Sequence, residues 1–295
     1  MIEAVANVVL SGVFHAAILF LVAAGLQLVF GVQRIVNLAC GSFYALGAYF
    51  GISAVQWALG AGTPKPLFML VLLGSGVLLA AIGPLVERLL RTIYDRDESF
   101  QILLTFALVL MFEDLFRFVW GTRTHVMAGG FYLLYGQLSL GRVTVPVYNL
   151  LVIAASLGIA ALMGWFLART RFGRIVRATA ENRAMSEALG VNMTRVYARV
   201  FTLGTALGTV GGALVVPSGA ASLDMGIALI VDAFAVVVIG GLGSMRGAFV
   251  GALIVGVLKA ATVSIYAEME MLAVYLIVIA VLVLRPAGLF ARATA

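Results

Sequence analysis

The sequence predicts an all-α polytopic membrane protein with about eight transmembrane helices, one of which is broken or re-entrant at a glycine-rich segment. Of its 295 residues, 63% are hydrophobic and only 11% are charged, whereas soluble globular proteins carry roughly 25% charged residues. The mean hydropathy is +1.13. Several apolar runs reach the length of about 20 residues that a helix needs to cross a bilayer. These observations exclude a soluble enzyme, a disordered chain and a disulfide-rich secreted module.

Stretches with few or no charges mark the individual spans. We predict seven full or nearly full spans, at residues 4–33, 35–64, 66–86, 99–121, 143–168, 200–223 and 271–284. An eighth apolar stretch, 225–258, is interrupted near its middle by glycines and Arg246. The first run is too long for a cleaved signal peptide and has no basic residue before it, so we expect a retained helix. The whole chain, 1–295, is predicted to form one polytopic transmembrane domain.

The span 99–121 contains the charges Glu113, Asp114 and Arg117. Residues three or four positions apart lie on the same face of a helix, so both acids are expected to pair with Arg117.

The distribution of Lys and Arg predicts the direction of the spans, because these residues accumulate in cytoplasmic loops. If the N-terminus is outside and the chain crosses at every span, 14 of the 19 Lys and Arg residues lie inside. The asymmetry is strongest for the loop 169–199 and for the C-terminus, which we expect to be cytoplasmic. A partly re-entrant 35–64 segment would change the side of the N-terminus.

The sequence lacks the usual devices for binding ATP or a dinucleotide. A phosphate-binding loop ends in Gly-Lys-Ser/Thr, and neither Lys65 nor Lys259 stands in that context. The glycines that begin at Gly241 do not continue to a third glycine, since Arg246 occupies that position. We therefore expect no bound cofactor, and we attribute the net charge of +6 to cytoplasmic loops rather than to nucleic-acid binding.

The reactive side chains are also few. With Cys40 as the single cysteine and two histidines, a disulfide framework and a multi-ligand Cys/His metal site are excluded. His15 is interpreted as a packed or pore-facing polar residue, and Asp224 and Asp232 lack the context of a catalytic pair. Asp232, alone in its apolar run, is either a functional group or lies at an aqueous helix end. We expect no enzymatic activity.

The basic segment from Thr170 to Arg199 is predicted to contain a helix from Arg174 to Leu189 that ends at Gly190, the usual left-handed stop. Two interpretations remain open. The arginines can simply hold a loop at the inner surface against anionic lipid. Alternatively, the helix docks into a groove on a cytoplasmic partner.

Two glycine-rich segments, 31–49 and 236–256, interrupt apolar sequence at membrane depth. Irregular backbone is tolerated there only where it is buried in protein or lines a cavity, and transporters build central sites from such broken helices. The alternative is tight helix packing through small residues, and both can hold together. The pairs Gly47-Ala48 and Gly251-Ala252 hint at a two-fold internal repeat.

Four segments together resemble a known family. They are Gly25 through Asn37 to Tyr49, Phe172-Gly173-Arg174 through Glu187 to Val191, Val238 to Ser244, and Leu284-Arg285-Pro286-Ala287-Gly288-Leu289-Phe290. In this order they cover nearly the whole chain. The chain resembles the shorter type of permease subunit in bacterial ABC importers for branched-chain, or hydrophobic, amino acids. That family also includes urea and short-amide importers.

The resemblance implies which proteins assemble with this chain and which of its residues serve in ATPase coupling and in the solute path. A second, related permease would form a heterodimer with this chain in the inner membrane, two cytoplasmic ATPase subunits would bind beneath, and a periplasmic binding protein would deliver the solute. The ATPase-coupling residues would be Arg174, Arg177, Glu187, Ala188, Leu189 and Gly190. The residues that line or hinge the translocation path would be Asn37, Cys40, Gly41, Ser42, Gly240, Gly241, Gly243 and Ser244. We add Asp232 to this path because it is a lone acid in an apolar run.

One departure from the family pattern concerns the solute. Where the family has Asn-Phe-Ala-His-Gly-Glu, this chain has Asn37-Leu38-Ala39-Cys40-Gly41-Ser42. Expected solutes are therefore branched-chain or hydrophobic amino acids or a related small amphipathic molecule, including a smaller amide or an aromatic or aliphatic acid. The alternative function is an ATP-independent carrier or channel that uses Asp232 or His15 as an ion-coupling group.

Overall fold

The fold consists almost entirely of helices. A computed structural model describes residues 2–94, 96–127, 134–140, 143–285 and 288–290. In these ranges the α-helices are α1 (Ile2–Gln33), α2 (Cys40–Gly60), α3 (Phe68–Leu79), α4 (Gly83–Leu90), α5 (Glu98–Trp120), α6 (Val147–Arg169), α7 (Arg171–Glu181), α8 (Arg183–Ala188), α9 (Met193–Val215), α10 (Met225–Gly240), α11 (Met245–Ile265) and α12 (Glu270–Leu284). Short 3₁₀ turns occupy Lys65–Leu67, Ala80–Ile82, Arg91–Ile93 and Ala267–Met269.

Two small antiparallel strand pairs lie between the helices. β1 (His125–Val126) pairs with β4 (Ala220–Ala221), and β2 (Gln137–Leu140) pairs with β3 (Val143–Pro146). Parts of the sequence-based argument lie outside the described residues, namely Pro286 and Ala287 of the C-terminal motif and the arginines Arg142 and Arg292 used for the topology.

The all-α polytopic prediction is confirmed, although the count of about eight spans is not. Within the described ranges, six helical segments are long and apolar enough to cross a membrane: Val5–Gln33, Lys65–Ile93, Val147–Arg169, Met193–Val215, Met245–Ile265 and Ala267–Leu284. Outside this set, α2 and α5 have 21 and 23 residues, enough to cross a core of about 30 Å at 1.5 Å per residue. The helix α10 is apolar but shorter.

Two predicted boundaries were wrong for local reasons. The span predicted at 200–223 is the helix α9, which begins at Met193 because the Asn192 side chain accepts a hydrogen bond from the Arg195 backbone N–H at 3.1 Å and so caps the first turn. It ends before Pro217, since proline cannot continue a helix. The span predicted to start at 35 becomes helical only at Cys40.

The helices α1 and α9 lie at the centre of the bundle, against α2, α3, α10 and α11. Glycines allow this close approach, as small residues do between membrane helices. A Cβ atom at Gly47 would overlap the Thr209 carbonyl, and one at Gly25 would lie 2.7 Å from the Gly204 carbonyl oxygen. The packing interpretation therefore holds for Gly47 and equally for Gly251, whose added Cβ would lie 2.5 Å from the Val236 carbonyl oxygen.

The segments predicted to lie inside meet at one end of the bundle, which we call the basic end. There Gln33 Nε2 donates to the Tyr197 carbonyl at 3.0 Å, and Arg34 Nη2 donates to the Ala180 carbonyl at 3.4 Å. The C-terminal segment also returns to this end, because the Leu289 N–H donates to the Ile239 carbonyl at 2.9 Å.

The charges of α5 pair as expected. Arg117 binds Glu113 at 2.9 Å and Asp114 at 3.2 Å. The Arg117 side chain is about half exposed, so these bonds are surface contacts of modest energy.

Candidate functional site

An arm made of α7 followed by α8 lies at the basic end. The predicted single helix from Arg174 to Leu189 was wrong, because the chain breaks at Asn182, whose φ of −148° and ψ of 100° are extended. Asparagine is a preferred N-cap residue, and Asn182 Oδ1 accepts from the Met185 N–H at 2.9 Å to start α8. The predicted stop is confirmed, since Gly190 has a positive φ of 83°.

The two helices of the arm differ in burial. In α7, Gly173, Val176 and Thr179 are buried against the body of the protein. In α8 only Ser186 is buried, whereas Met185 and Leu189 are 58% and 77% exposed. Four residues apart, these two apolar side chains lie on the same face of the chain. The arm therefore presents a short apolar ridge on an anchored base.

The predicted coupling residues fall on both parts of the arm. Arg174 and Arg177 are exposed on α7, and Arg177 Nη2 donates to the Ala168 carbonyl at 3.4 Å. Glu187, with Arg183 Nε at 3.3 Å from its Oε1, precedes Ala188, Leu189 and Gly190 at the exposed tip of the arm.

Near the base of the arm, a buried carboxylate joins α4 to the following turn. Glu87 is fully buried and accepts hydrogen bonds from Arg91 Nη2 at 2.5 Å and from the Tyr94 hydroxyl at 3.2 Å. Burial, reinforced by the neighbouring Glu87 carboxylate, raises the pKa of Tyr94 well above its ordinary value. The phenol therefore remains a hydrogen-bond donor.

The segment 34–39 is not helical, and apart from the exposed Arg34 its residues are buried or half-buried. Asn37 is 3% exposed, caps the turn by accepting from the Ala39 N–H at 3.0 Å, and borders a small void with Cys40 and Gly204. Because Gly204 lies at the middle of α9, the Asn37 end of this irregular segment sits beside the middle of that helix. The predicted interruption is thus present, and it is buried as such backbone must be.

The next predicted path residues, Gly41 and Ser42, pack within the first turn of α2. Ser42 is 3% exposed. A Cβ atom at Gly41 would overlap the carbonyl of Gly226 on α10. Gly41 therefore lets α2 and α10 meet backbone to backbone.

Four further predicted path residues, Gly240, Gly241, Gly243 and Ser244, lie at the turn between α10 and α11. Gly241 and Gly243 have positive φ values of 92° and 78°, and Ser244 caps α11 by accepting from the Gly247 N–H at 3.0 Å. A Cβ at Gly240 would overlap Gly247, so the two helices meet backbone to backbone.

Sequence reasoning missed the residue that holds this turn. Gln27 of α1 is 3% exposed; its Nε2 donates to the Gly241 carbonyl at 2.9 Å, and its Oε1 accepts from the Gly243 N–H at 2.5 Å. Its only sequence signal is an amide within a charge-free helix.

A cavity of about 260 Å³ lies among α1, α2, α9, α10 and α11. Asp232, predicted as a lone acid, is paired there with Lys259, whose Nζ lies 2.6 Å from Asp232 Oδ2 and 2.8 Å from Glu270 Oε1. His15 and Tyr44 also line the cavity. Among the predicted path residues within the described ranges, Asp232 alone reaches it.

The partner of Asp232 was not found from the sequence, because Lys259 lies 27 residues away on another helix. Within the described ranges, no three His, Cys, Asp or Glu side chains come together in a way that could hold a metal ion.

Comparison with known proteins identifies a matching family and similar permease proteins. Residues 8–283 match a family model described as "Branched-chain amino acid transport system / permease component". The chain is 25% identical over 281 residues to the high-affinity branched-chain amino acid transport system permease protein BraD of Pseudomonas aeruginosa, covering 92% of this chain and 91% of that protein. No solved structure matches the chain.

Two further relatives widen the comparison. The high-affinity branched-chain amino acid permease protein LivH of Escherichia coli K12 is 27% identical over 292 residues, covering 96% of this chain and 94% of LivH. The fructose import permease protein FrcC of Rhizobium meliloti is 29% identical over 269 residues, covering 85% and 72% of the two chains.

Proposed function

We infer that this chain, which belongs to the family of branched-chain amino acid transport system permease components, is the membrane-spanning subunit of an ATP-driven importer. The family is one of transport permeases rather than enzymes. In our proposal the chain itself performs no chemistry. Driven by separate ATPase subunits, it opens a solute path first to one side of the membrane and then to the other.

The observation that carries this proposal is the exposed apolar ridge of Met185 and Leu189 at the tip of the arm. A short helix with apolar anchors suits a groove on a partner protein. We propose that Glu187, Ala188, Leu189 and Gly190 enter such a groove on an ATPase.

Contacts at the base of the arm support its role in transmitting a movement of the tip. α7 packs tightly on the preceding helix, since a Cβ at Gly173 would overlap the Leu167 backbone. Arg34 joins the end of α7 to the end of α1. A movement of the tip is thereby passed to the central helix, while Arg174 and Arg177 lie on the exposed face beside the partner.

The two breaks in the bundle supply candidate hinges. We propose that Asn37, Cys40, Gly41 and Ser42 allow α2 to move against α1, and that Gly240, Gly241, Gly243 and Ser244 do the same for α10 and α11. Both segments sit where small residues allow backbones to touch, so slight rotations there change the space between the helices.

The proposed setting follows from the family. The basic end faces the cytoplasm of a bacterial inner membrane, with the C-terminus on that side. A second permease forms a heterodimer with this chain, two ATPases bind the arms, and a periplasmic protein delivers the solute. We propose branched-chain or other hydrophobic amino acids, or a related small amphipathic solute, as the cargo.

The test is a mild-detergent pull-down of the tagged chain from its native membranes, with partners identified by mass spectrometry. We expect a second permease and ATPase subunits with the wild-type chain, and loss of the ATPases when Leu189→Asp places a charge on the ridge. Leu138→Asp, a change at an exposed leucine in β2, is the matched control and should retain all partners. Recovery of the ATPases with Leu189→Asp, or of the chain alone with transport activity, contradicts the proposal.

A further inference from the structure

We propose that the base of the arm binds an anionic phospholipid of the surrounding membrane through the guanidinium groups of Arg169, Arg171 and Arg199. These residues stand at the end of α6, at the start of α7 and in the first turns of α9. We call the three residues the arginine corner. Its ligand is a lipid headgroup, and it lies at the base of the arm, whereas the ATPase contact proposed above lies at the tip.

Aromatic contacts bring the three arginines to one place. The ring centroids of Phe166 and Phe172 are 5.9 Å apart, so the start of α7 lies against the last turn of α6. Arg199 Cζ is 5.8 Å from the centroid of the Phe172 ring, which is a cation–π contact. Arg169 follows Phe166 by three residues, one turn of helix. Arg171 directly precedes Phe172. All three arginines are exposed, so a headgroup can reach them.

The helix α6 indicates the depth of the arginine corner in the membrane. This helix, Val147–Arg169, is long and apolar enough to cross a bilayer, and Arg169 is its single charged residue. Trp165 lies one turn before Arg169 and is 59% exposed. Exposed tryptophans concentrate at the level of the lipid headgroups. The arginine corner therefore lies where the phosphate groups of the lipids are.

The charge of this region calls for an anion. Segment 169–199 contains seven arginines but only two glutamates, and one of these, Glu187, is already paired within α8. Within the part of the chain that the structure describes, no carboxylate pairs with Arg169, Arg171 or Arg199.

Basic residues at the membrane surface attract anionic lipids, and a guanidinium binds phosphate oxygens through two parallel hydrogen bonds. A phospholipid whose phosphate has no balancing amine or choline, such as phosphatidylglycerol, therefore fits the charge of the arginine corner.

An acidic surface on an ATPase is the competing ligand for these arginines. Their position favours the lipid, because Arg169 and Arg199 belong to α6 and α9, two helices long and apolar enough to cross the membrane. Headgroups surround the ends of such helices. The apolar residues proposed to contact the ATPase, Met185 and Leu189, lie instead at the other end of the arm.

The experiment uses Trp165 as the reporter of lipid contact. The full chain with its partner subunits is reconstituted into phosphatidylcholine nanodiscs that contain a small, varied fraction of lipid with brominated chains, because bromine quenches tryptophan fluorescence on contact. The brominated lipid has either a phosphatidylglycerol or a phosphatidylcholine headgroup. Subtracting the quenching measured with Trp165→Phe removes the contributions of Trp57, Trp120 and the partner subunits.

We expect half-maximal quenching of Trp165 at about tenfold less brominated phosphatidylglycerol than brominated phosphatidylcholine, which corresponds to about 1.4 kcal/mol. Replacing Arg169, Arg171 and Arg199 together by Gln should abolish this difference between the headgroups. Arg171→Gln alone, at an exposed position, should reduce the difference in part, and it tests the corner should the triple variant not fold.

The matched control removes the same number of charges elsewhere at the basic end. Arg96, Arg246 and Arg285 are exposed and lie outside α6, α7 and α9, and replacing all three by Gln should preserve the preference for phosphatidylglycerol. This control separates a local site from the general attraction of a basic surface.

Several results would overturn the proposal: equal quenching by the two brominated lipids, a preference that survives both Arg171→Gln and the triple variant of the corner, or equal losses in the corner and control variants. Loss of the ATPases from the corner variant, with no headgroup preference in the wild type, would assign the arginines to the ATPase. The proposed transport function is tested separately by the pull-down with Leu189→Asp, and its outcome does not depend on the quenching result.

Discussion

Gln27 and Gly243 are joined by a hydrogen bond of 2.5 Å between the side-chain Oε1 of the first and the N–H of the second, across 216 positions of sequence. Through its Nε2 the same side chain also holds the carbonyl of Gly241 at 2.9 Å. One side-chain amide thus pairs with two backbone groups of the turn between α10 and α11. The link ties the α10–α11 turn to the central helix α1.

Gln27→Leu should destabilise this turn, because the Gly243 N–H loses its side-chain acceptor and the Gly241 carbonyl keeps only the Ser244 N–H as a donor. A lost hydrogen bond costs about 0.5–1.5 kcal/mol, so we expect a lower melting temperature of the purified complex and reduced uptake. Thermal unfolding followed by the fluorescence of a thiol-reactive dye measures the change. The control, Gln56→Leu, alters an exposed glutamine of α2 and should leave the melting temperature nearly unchanged. Equal effects of the two variants would argue against a role for the bridge.

Gly190→Val should uncouple the arm from the ATPase subunits without unfolding the helix bundle. Gly190 has a φ of 83°, which costs an ordinary L-residue about 1–2 kcal/mol. A Cβ there meets no neighbour, so the strain is local and shifts the tip of the arm. We expect normal insertion but loss of ATP-dependent uptake, measured in vesicles. Gly158→Val, at a glycine of α6 that also has open space around it, is the control. Unchanged uptake with Gly190→Val would count against the coupling role.

Gly47→Val should prevent assembly of the bundle. The added side chain would overlap the Thr209 backbone between α2 and α9, and overpacking a tight contact costs about 1–3 kcal/mol or more. The amount of folded protein recovered after gel filtration in detergent reports the effect. Gly74→Val, which introduces the same side chain into α3 where a Cβ meets no neighbour, should fold normally. Recovery of folded Gly47→Val at the control level would disprove close helix packing at this position.

Lys259→Met should destabilise the protein more than Asp232→Asn does. Without the ammonium, Asp232 and Glu270 lose their shared partner and repel each other, whereas Asp232→Asn leaves the Lys259–Glu270 pair of 2.8 Å in place. We expect a difference of about 1–3 kcal/mol, less than the full cost of breaking a buried pair because Lys259 is 23% exposed. Comparing the melting temperatures of the two purified variants is the measurement. The opposite order would exclude Lys259 as the shared partner.

Features that depend on local sequence were predicted well. The glycines that interrupt 225–258 end α10 and start α11 as expected, because positive φ values and a serine cap are properties of a few adjacent residues. Arg117 pairs with Glu113 and Asp114 because these residues are neighbours on one helix. The boundary at Asn182 was missed, although asparagine is a good cap, because the surrounding residues also favour a continuous helix.

The sequence by itself determined the membrane class, the helical content and the break between α10 and α11, since these follow from hydropathy, charge distribution and backbone preferences within short segments. Tertiary structure alone decided which distant groups meet. Lys259 reaches Asp232 and Glu270 because α11 packs against α10 and α12, and Gln27 reaches the glycine turn because α1 packs against α10 and α11. Hydropathy depends on residues that are neighbours along the chain. A hydrogen bond or ion pair instead requires two polar groups within about 3 Å in space, and groups distant in sequence meet that condition only in the packed bundle.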